Sequence, residues 1–181
     1  MCKLCALVRV VTRSAMLAAL VGASLLSVEP AFAEEKEPAA IIGLGAAGEW
    51  DLPNGGASFG PSASIEFVPI KSWKDWLVIE AGVAPLFGRG QTEWDTDVVF
   101  KKPFDLTPSI EIEPGIGPAW EHASAGGRTT DAIAGEAVVE FMIWPTPARK
   151  FGWFVEPSYT MDFSRGQQSL GVTAGLLFAI Q

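Results

Sequence analysis

The sequence predicts an all-β fold: a closed, antiparallel, up-and-down transmembrane β-barrel of about eight strands, spanning residues 40–181. Three observations predict it. Beyond residue 33 no segment sustains a helical period, whereas period-two alternation recurs between clusters of Gly, Pro, Asp and Asn. Most alternating segments run about 10 residues, the length of a tilted strand that crosses a bilayer. One face of these segments is bulky and apolar, while the other is built mostly of Gly, Ala, Ser and Glu.

The N-terminal segment has a different character. Lys3, Arg9 and Arg13 precede an apolar run from Ala15 to Leu26, and Ala31-Phe32-Ala33 supplies a small-x-small cleavage site. This is the three-part pattern of a secretory signal peptide, expected over 1–33. The apolar run is short for a membrane-spanning helix, which needs about 20 residues. Removal after Ala33 leaves 148 residues and no thiol, since Cys2 and Cys5 leave with the leader. Disulfides, zinc–thiolate centres and cysteine nucleophiles are thereby excluded from the mature chain. Ten basic residues then face 20 acidic ones, a balance that disfavours nucleic acid and simple docking on anionic lipid. Residues 34–39 read as a short charged linker, and no second domain follows.

Eight strands are expected in order: Ala40–Trp50, Ser58–Val68, Leu77–Leu86, Val98–Phe104, Ser109–Glu121, Ala132–Trp144, Phe151–Phe163 and Ser169–Ala179. The fifth alternates most regularly, with Ile110, Ile112, Pro114, Ile116, Pro118 and Trp120 opposing Ser109, Glu111, Glu113, Gly115, Gly117 and Ala119. The seventh sets Phe151, Trp153, Val155 and Tyr159 against Gly152, Glu156, Ser158 and Thr160. The eighth sets Leu170, Val172, Leu176 and Phe178 against Gly171, Thr173 and Gly175.

Alternation does not itself say which face is inside. A lipocalin-like carrier of an apolar ligand turns its apolar face inward, and a membrane barrel turns it toward lipid. The small residues decide. Gly43, Gly45, Ala47, Gly60, Ser62 and Ser64 suit the narrow interior of an eight-stranded barrel better than a water-facing surface. Aromatic residues agree: Trp50, Trp94, Trp120 and Phe163 fall near one set of strand ends, and Trp73, Trp76, Trp144, Trp153 and Phe151 near the other. Two such belts are what interfacial anchoring predicts. With a periplasmic N-terminus, 69–76, 105–108 and 145–150 are inner turns, and 51–57, 87–97, 122–131 and 164–168 are longer outer loops. Pro69, Pro85, Pro103 and Pro145 fall at strand ends, while Pro114, Pro118 and Pro157 fall mid-strand and call for bulges.

The polar face carries a row of acids: Glu49, Glu66, Glu80, Glu111, Glu113, Glu136, Glu140 and Glu156. Lys101 is the base placed among them. Burying so many carboxylates requires shared protons, water or cations. One reading is a cation-attracting lumen or narrow pore, and the other a hydrated polar plug that fixes register. The width of an eight-stranded barrel favours the plug. Gly43-x-Gly45-x-x-Gly48 lies inside a strand with no helix after it, so it cradles no phosphate, and no cofactor or metal site is expected.

The strand pattern resembles the eight-stranded outer-membrane β-barrels of Gram-negative bacteria. Thr173-x-Gly175-x-x-Phe178-x-Ile180 is similar to the C-terminal signal read by the barrel-assembly machinery, although the chain ends in Gln181 rather than an aromatic residue. The resemblance implies an outer-membrane location, membrane lipid, lipopolysaccharide and that machinery as partners, and a structural, adhesion or minor permeability role. It carries no signature of oligomeric state. His122-Ala123-Ser124 with Glu136 also resembles the outer-membrane lipid A deacylases. That likeness implies Ser124 as nucleophile, His122 as base and Glu136 as orienting acid. A non-enzymatic barrel is the leading expectation, with the hydrolase and the lipocalin-like carrier as alternatives.

Overall fold

The computed structural model describes residues 38–52, 55–73, 76–88 and 90–180. The leader expected over 1–33, most of the linker expected over 34–39, and Gln181 lie outside the described residues. Nine strands form among the described residues: β1 (Ala40–Asp51), β2 (Ala57–Phe67), β3 (Val78–Gly88), β4 (Gln91–Lys101), β5 (Phe104–Thr107), β6 (Ile110–Ala125), β7 (Arg128–Ile143), β8 (Phe151–Asp162) and β9 (Gln168–Ile180). A 3-10 turn, Lys71–Trp73, precedes β3.

The eight long strands pair antiparallel with their neighbours, β4 pairs β6, and β1 pairs β9, so the sheet closes on itself. Closure leaves no edge among the long strands, which satisfies the demand that backbone polar groups in hydrocarbon be paired. β5 continues the line of β4 after a break at Lys102–Pro103 and pairs only with the start of β6. The eight expected strands are thus the eight staves of the barrel, with the fourth split in two.

The barrel has two ends. One holds the start of β1 and the end of β9, and the other holds the hairpins. β6 and β7 have 16 residues each, several more than a bilayer crossing needs. They meet at Gly126 and Gly127, whose φ angles of 57° and 77° form a two-residue turn of the primed type that suits twisted strands. The segments expected as outer loops at 87–97 and 122–131 are therefore mostly strand. Connections at the hairpin end are short, and the longest connection in the barrel, 68–77, lies at the terminal end. The expectation of longer outer loops is corrected on this point. Polar residues on both faces, as in Gln91–Asp97, mark strand that continues past the apolar band.

The mid-strand prolines sit at gaps in the ladder, not at bulges. The β2–β3 ladder is open between Phe59↔Phe87 and Ala63↔Val83, and in the unchanged register Pro61 faces Pro85 there. Pro85 is therefore inside β3, not at its end. Pro118 pairs with Gly135 on β7, while the β4 side is open between Asp97↔Ala119 and Phe100↔Ile116. Pro157 pairs with Val172 on β9, while the β7 side is open between Val138↔Ser158 and Phe141↔Val155. Pro114 lies beside the break after β4, where the Lys102 N–H donates to its carbonyl at 2.9 Å. A missing proline donor costs nothing where no acceptor waits opposite.

The apolar face points outward. Ile116 is 68% exposed, and Leu44, Ile65, Phe100, Val155 and Phe178 are exposed beside it, whereas Glu113 is 3% exposed. The inverse arrangement, an apolar interior around a greasy ligand, is not formed. Of the expected aromatic belts, Trp50, Trp94, Trp120 and Phe163 stand on the outer wall near the hairpins, and Trp76 and Phe151 are exposed near the terminal end. Trp144 departs from its belt. It is buried and packs in the lumen with Met142, Phe154 and Leu177. Its N–H bonds the Ser109 carbonyl at 2.8 Å, so its backbone continues β7 and its side chain follows Met142 inward.

Candidate functional site in the barrel lumen

The lumen is organised around one lysine. Lys101 ends β4 on its inward face, with its side chain wholly buried. Carboxylates converge on it from both sides of the barrel: Glu66 on β2, Glu80 on β3, Glu140 on β7 and Glu156 on β8. An ammonium has three protons. They are donated to Glu66 Oε1 at 3.0 Å, to Glu80 Oε2 and to Glu140 Oε2 at 2.6 Å. Glu156 Oε2 lies 2.7 Å from Nζ as an ion pair without a hydrogen bond. The knot ties β4 to β2, β3, β7 and β8 across the lumen. Glu66, Glu80 and Glu140 are also close enough to one another to hold a cation, and the ammonium stands among them.

The remaining expected lumen acids lie above and below the knot. Glu111 and Glu113 line a cavity of about 240 Å³ at the terminal end, together with Trp144 and Arg149. Arg149 donates to Glu111 at 3.0 Å and to Asp105 at 2.8 Å, with φ 40°, the one positive value outside glycine among the described residues. Glu49 and Glu136 line a smaller cavity of about 60 Å³ on the hairpin side of the knot. Four acids missed in the sequence join this row: Glu93, Asp95 and Asp97 on β4 and Glu121 on β6. For Glu93, Asp95 and Asp97 the signal was the parity they share with Lys101, hidden because 87–97 read as a loop; for Glu121 it was the parity of Glu111 and Glu113 at the end of the expected fifth strand. The hairpin mouth itself holds Glu49, Glu93, Glu121 and Asp162 around Arg165. Carboxylates thus run the length of the lumen against few bases, and Leu86, Val99 and Ala119 pack between them.

His122 and Ser124 lie elsewhere. Both are on β6 with the parity of Trp120, hence on the outer wall near the hairpin. His122 Nδ1 is 2.8 Å from Asp131 Oδ1 on β7, its partner in register, and its ring lies 5.7 Å from that of Trp120. Glu136 lines the lumen cavity on the other side of the wall. The structure therefore brings His122 together with Asp131 and separates both His122 and Ser124 from Glu136.

No family model matches the sequence, and no curated protein matches it. Solved structures share its architecture. Neisserial surface protein A superposes with a TM-score of 0.64 at 14% identity, over 81% of this chain and 100% of that one. Ail, the attachment invasion locus protein of Yersinia pestis, gives 0.59 at 11% identity, over 79% and 99%. The N-terminal β-barrel domain of Pseudomonas aeruginosa OprF gives 0.56 at 12% identity, over 79% and 100%. The chain has the fold of the eight-stranded outer-membrane β-barrels.

Proposed function

We propose, from this eight-stranded barrel fold, that the protein resides in a bacterial outer membrane as a non-enzymatic, structural barrel whose lumen is closed. The observation that carries the reading is the pairing of an outward apolar wall with an inward ionic knot. The wall suits acyl chains, and the knot gives the polar interior a fixed register while occupying the space a pore needs. The names "surface protein" and "attachment invasion locus protein" belong to two structural neighbours and support a surface role in general. Short hairpins favour the structural role over adhesion, because they leave little chain to grip a receptor. Membrane lipid, lipopolysaccharide and the barrel-assembly machinery are the partners of this reading. The last is supported by the alternation of Thr173, Gly175, Phe178 and Ile180 on β9, with Phe178 and Ile180 exposed outward. Hydrolysis through Ser124, His122 and Glu136 is not part of it, because the barrel wall lies between the acid and the other two.

The test is fractionation followed by gel mobility. The protein is expected in the membrane fraction, soluble only with detergent, and faster on SDS gels before boiling than after. Recovery from the soluble periplasm without detergent overturns the membrane reading. In planar bilayers the closed lumen predicts no discrete channel events, and regular steps of conductance overturn that part alone.

A further inference from the structure

The vestibule at the terminal end of the lumen, the cavity of about 240 Å³, has one carboxylate in its wall that no donor reaches. Glu113 projects inward from β6 and is 3% exposed. Its Oε2 has no hydrogen-bond partner among the described residues. Lys101 gives its three protons to Glu66, Glu80 and Glu140, and Arg149 reaches Glu111 and Asp105. Buried polar groups are nearly always bonded, so a carboxylate set into a cavity wall without a donor is shaped for one that arrives with a ligand. Much of the remaining wall is carbon. Ile41 packs against the lumen cluster of Met142, Trp144, Phe154 and Leu177, and Trp144, Val78 and Pro103 line the same space. The space lies inside the ring of strands, so a ligand enters it from the water at the mouth rather than from lipid.

We propose that this vestibule binds a small organic ammonium, with the Glu113 carboxylate accepting from the charged head and Ile41, Val78, Pro103 and Trp144 covering an alkyl tail. The sign of the head follows from the walls, where Glu66, Asp105, Glu111 and Glu113 outnumber Arg149. An indole in the wall adds attraction for an organic cation. A metal ion fits poorly. It asks for several oxygens at once, and the other acids of the wall are held by Lys101 and Arg149. A bare ammonium ion would leave the carbon walls against water, which a tail displaces. The volume falls below the roughly 300–1,000 Å³ of pockets for drug-sized ligands, so the ligand is small. The inference needs a closed barrel but not a particular membrane, so it stands apart from the proposed location.

The test uses the protein extracted in detergent and titrated calorimetrically with pentylamine as probe. Pentanol lacks the charge, pentanoate reverses it, and ammonium chloride lacks the tail. One pentylamine per chain is expected, bound at least about tenfold tighter than any of these controls. Glu113→Gln is expected to keep the gel shift of the folded barrel and to weaken pentylamine by about tenfold or more. Glu93→Gln removes the same charge at the hairpin mouth and is expected to leave binding unchanged. Val78→Phe narrows the vestibule from its carbon side and is expected to weaken pentylamine as well. It carries the test alone if Glu113→Gln does not fold. The proposal is overturned if pentylamine does not bind, if a control binds as tightly, or if a folded Glu113→Gln or Val78→Phe protein binds like the parent. It is also overturned if Glu93→Gln weakens binding as much as Glu113→Gln, since attraction to the overall negative charge then suffices.

Discussion

At the scale of single residues, Lys101 stands out because one buried ammonium faces four carboxylates. Its three N–H bonds and one further ion pair engage four carboxylates from four strands, three of them buried. A buried charge that loses its partner costs far more than the pair contributes, because desolvation is no longer offset. Lys101→Met is therefore expected to destabilise the barrel at neutral pH by about 3–5 kcal/mol, measured as a lower urea midpoint in detergent. An unchanged midpoint would show that the carboxylates are neutral or otherwise compensated. Inward parity alone reveals the eight glutamates in the sequence, but not which of them meet the lysine, because strand stagger sets depth. Trp144 shows the opposite failure. Its parity with Met142 points inward, yet its place at a strand end suggests an interfacial anchor. Parity prevails because the Trp144 N–H is still bonded across to Ser109, so the pleat has not ended there.

At the scale of elements, legibility follows the apolar band. β1, β2, β8 and β9 fall within a residue or two of their expected bounds, since their outer faces are continuously greasy. β4 does not. In Gln91–Asp97 the inward acids Glu93, Asp95 and Asp97 alternate with outward Thr92, Trp94 and Thr96, and only the tryptophan is apolar. Hydrophobic periodicity cannot register a strand that is polar on both sides, so β-pairing with β3 and β6 defines it instead. The β2–β3 ladder illustrates the same limit for prolines, whose harmlessness depends on what stands opposite. At that gap the strands approach closely. A Cβ on Gly60 would lie 2.8 Å from the Pro85 carbonyl carbon and 3.2 Å from Leu86 Cα. Backbone cannot yield as a side-chain tip does, so Gly60→Val is expected to cost about 1–3 kcal/mol, read as a lower melting temperature. Ala63→Val, on the lipid-facing side of the same strand, is expected to change it little.

At the scale of the whole molecule, one choice governs everything else: which face meets the surroundings. Small residues on the polar side make that choice readable in the sequence, because glycine and serine weaken a strand unless space demands them. The outward position of Ile116 gives the choice an energetic test. In the middle of β6 at 68% exposure, it would tolerate a charge in a water-soluble barrel. Against hydrocarbon, Ile116→Arg is expected to cost about 2–4 kcal/mol, seen as a lower denaturant midpoint in lipid vesicles. A midpoint equal to that of the parent protein would place this wall outside the bilayer.

The pairing of β1 with β9, from Ala40↔Ile180 to Asp51↔Ser169, also orders events in time. The first stave of the barrel finds its second neighbour only when the last stave has been synthesised and delivered. A chain that stops short by one strand is an open ribbon with two hungry borders, and it has no way to seal itself. Closure of the barrel therefore rests on the last strand, without which the facing borders of β1 and β8 stay unpaired.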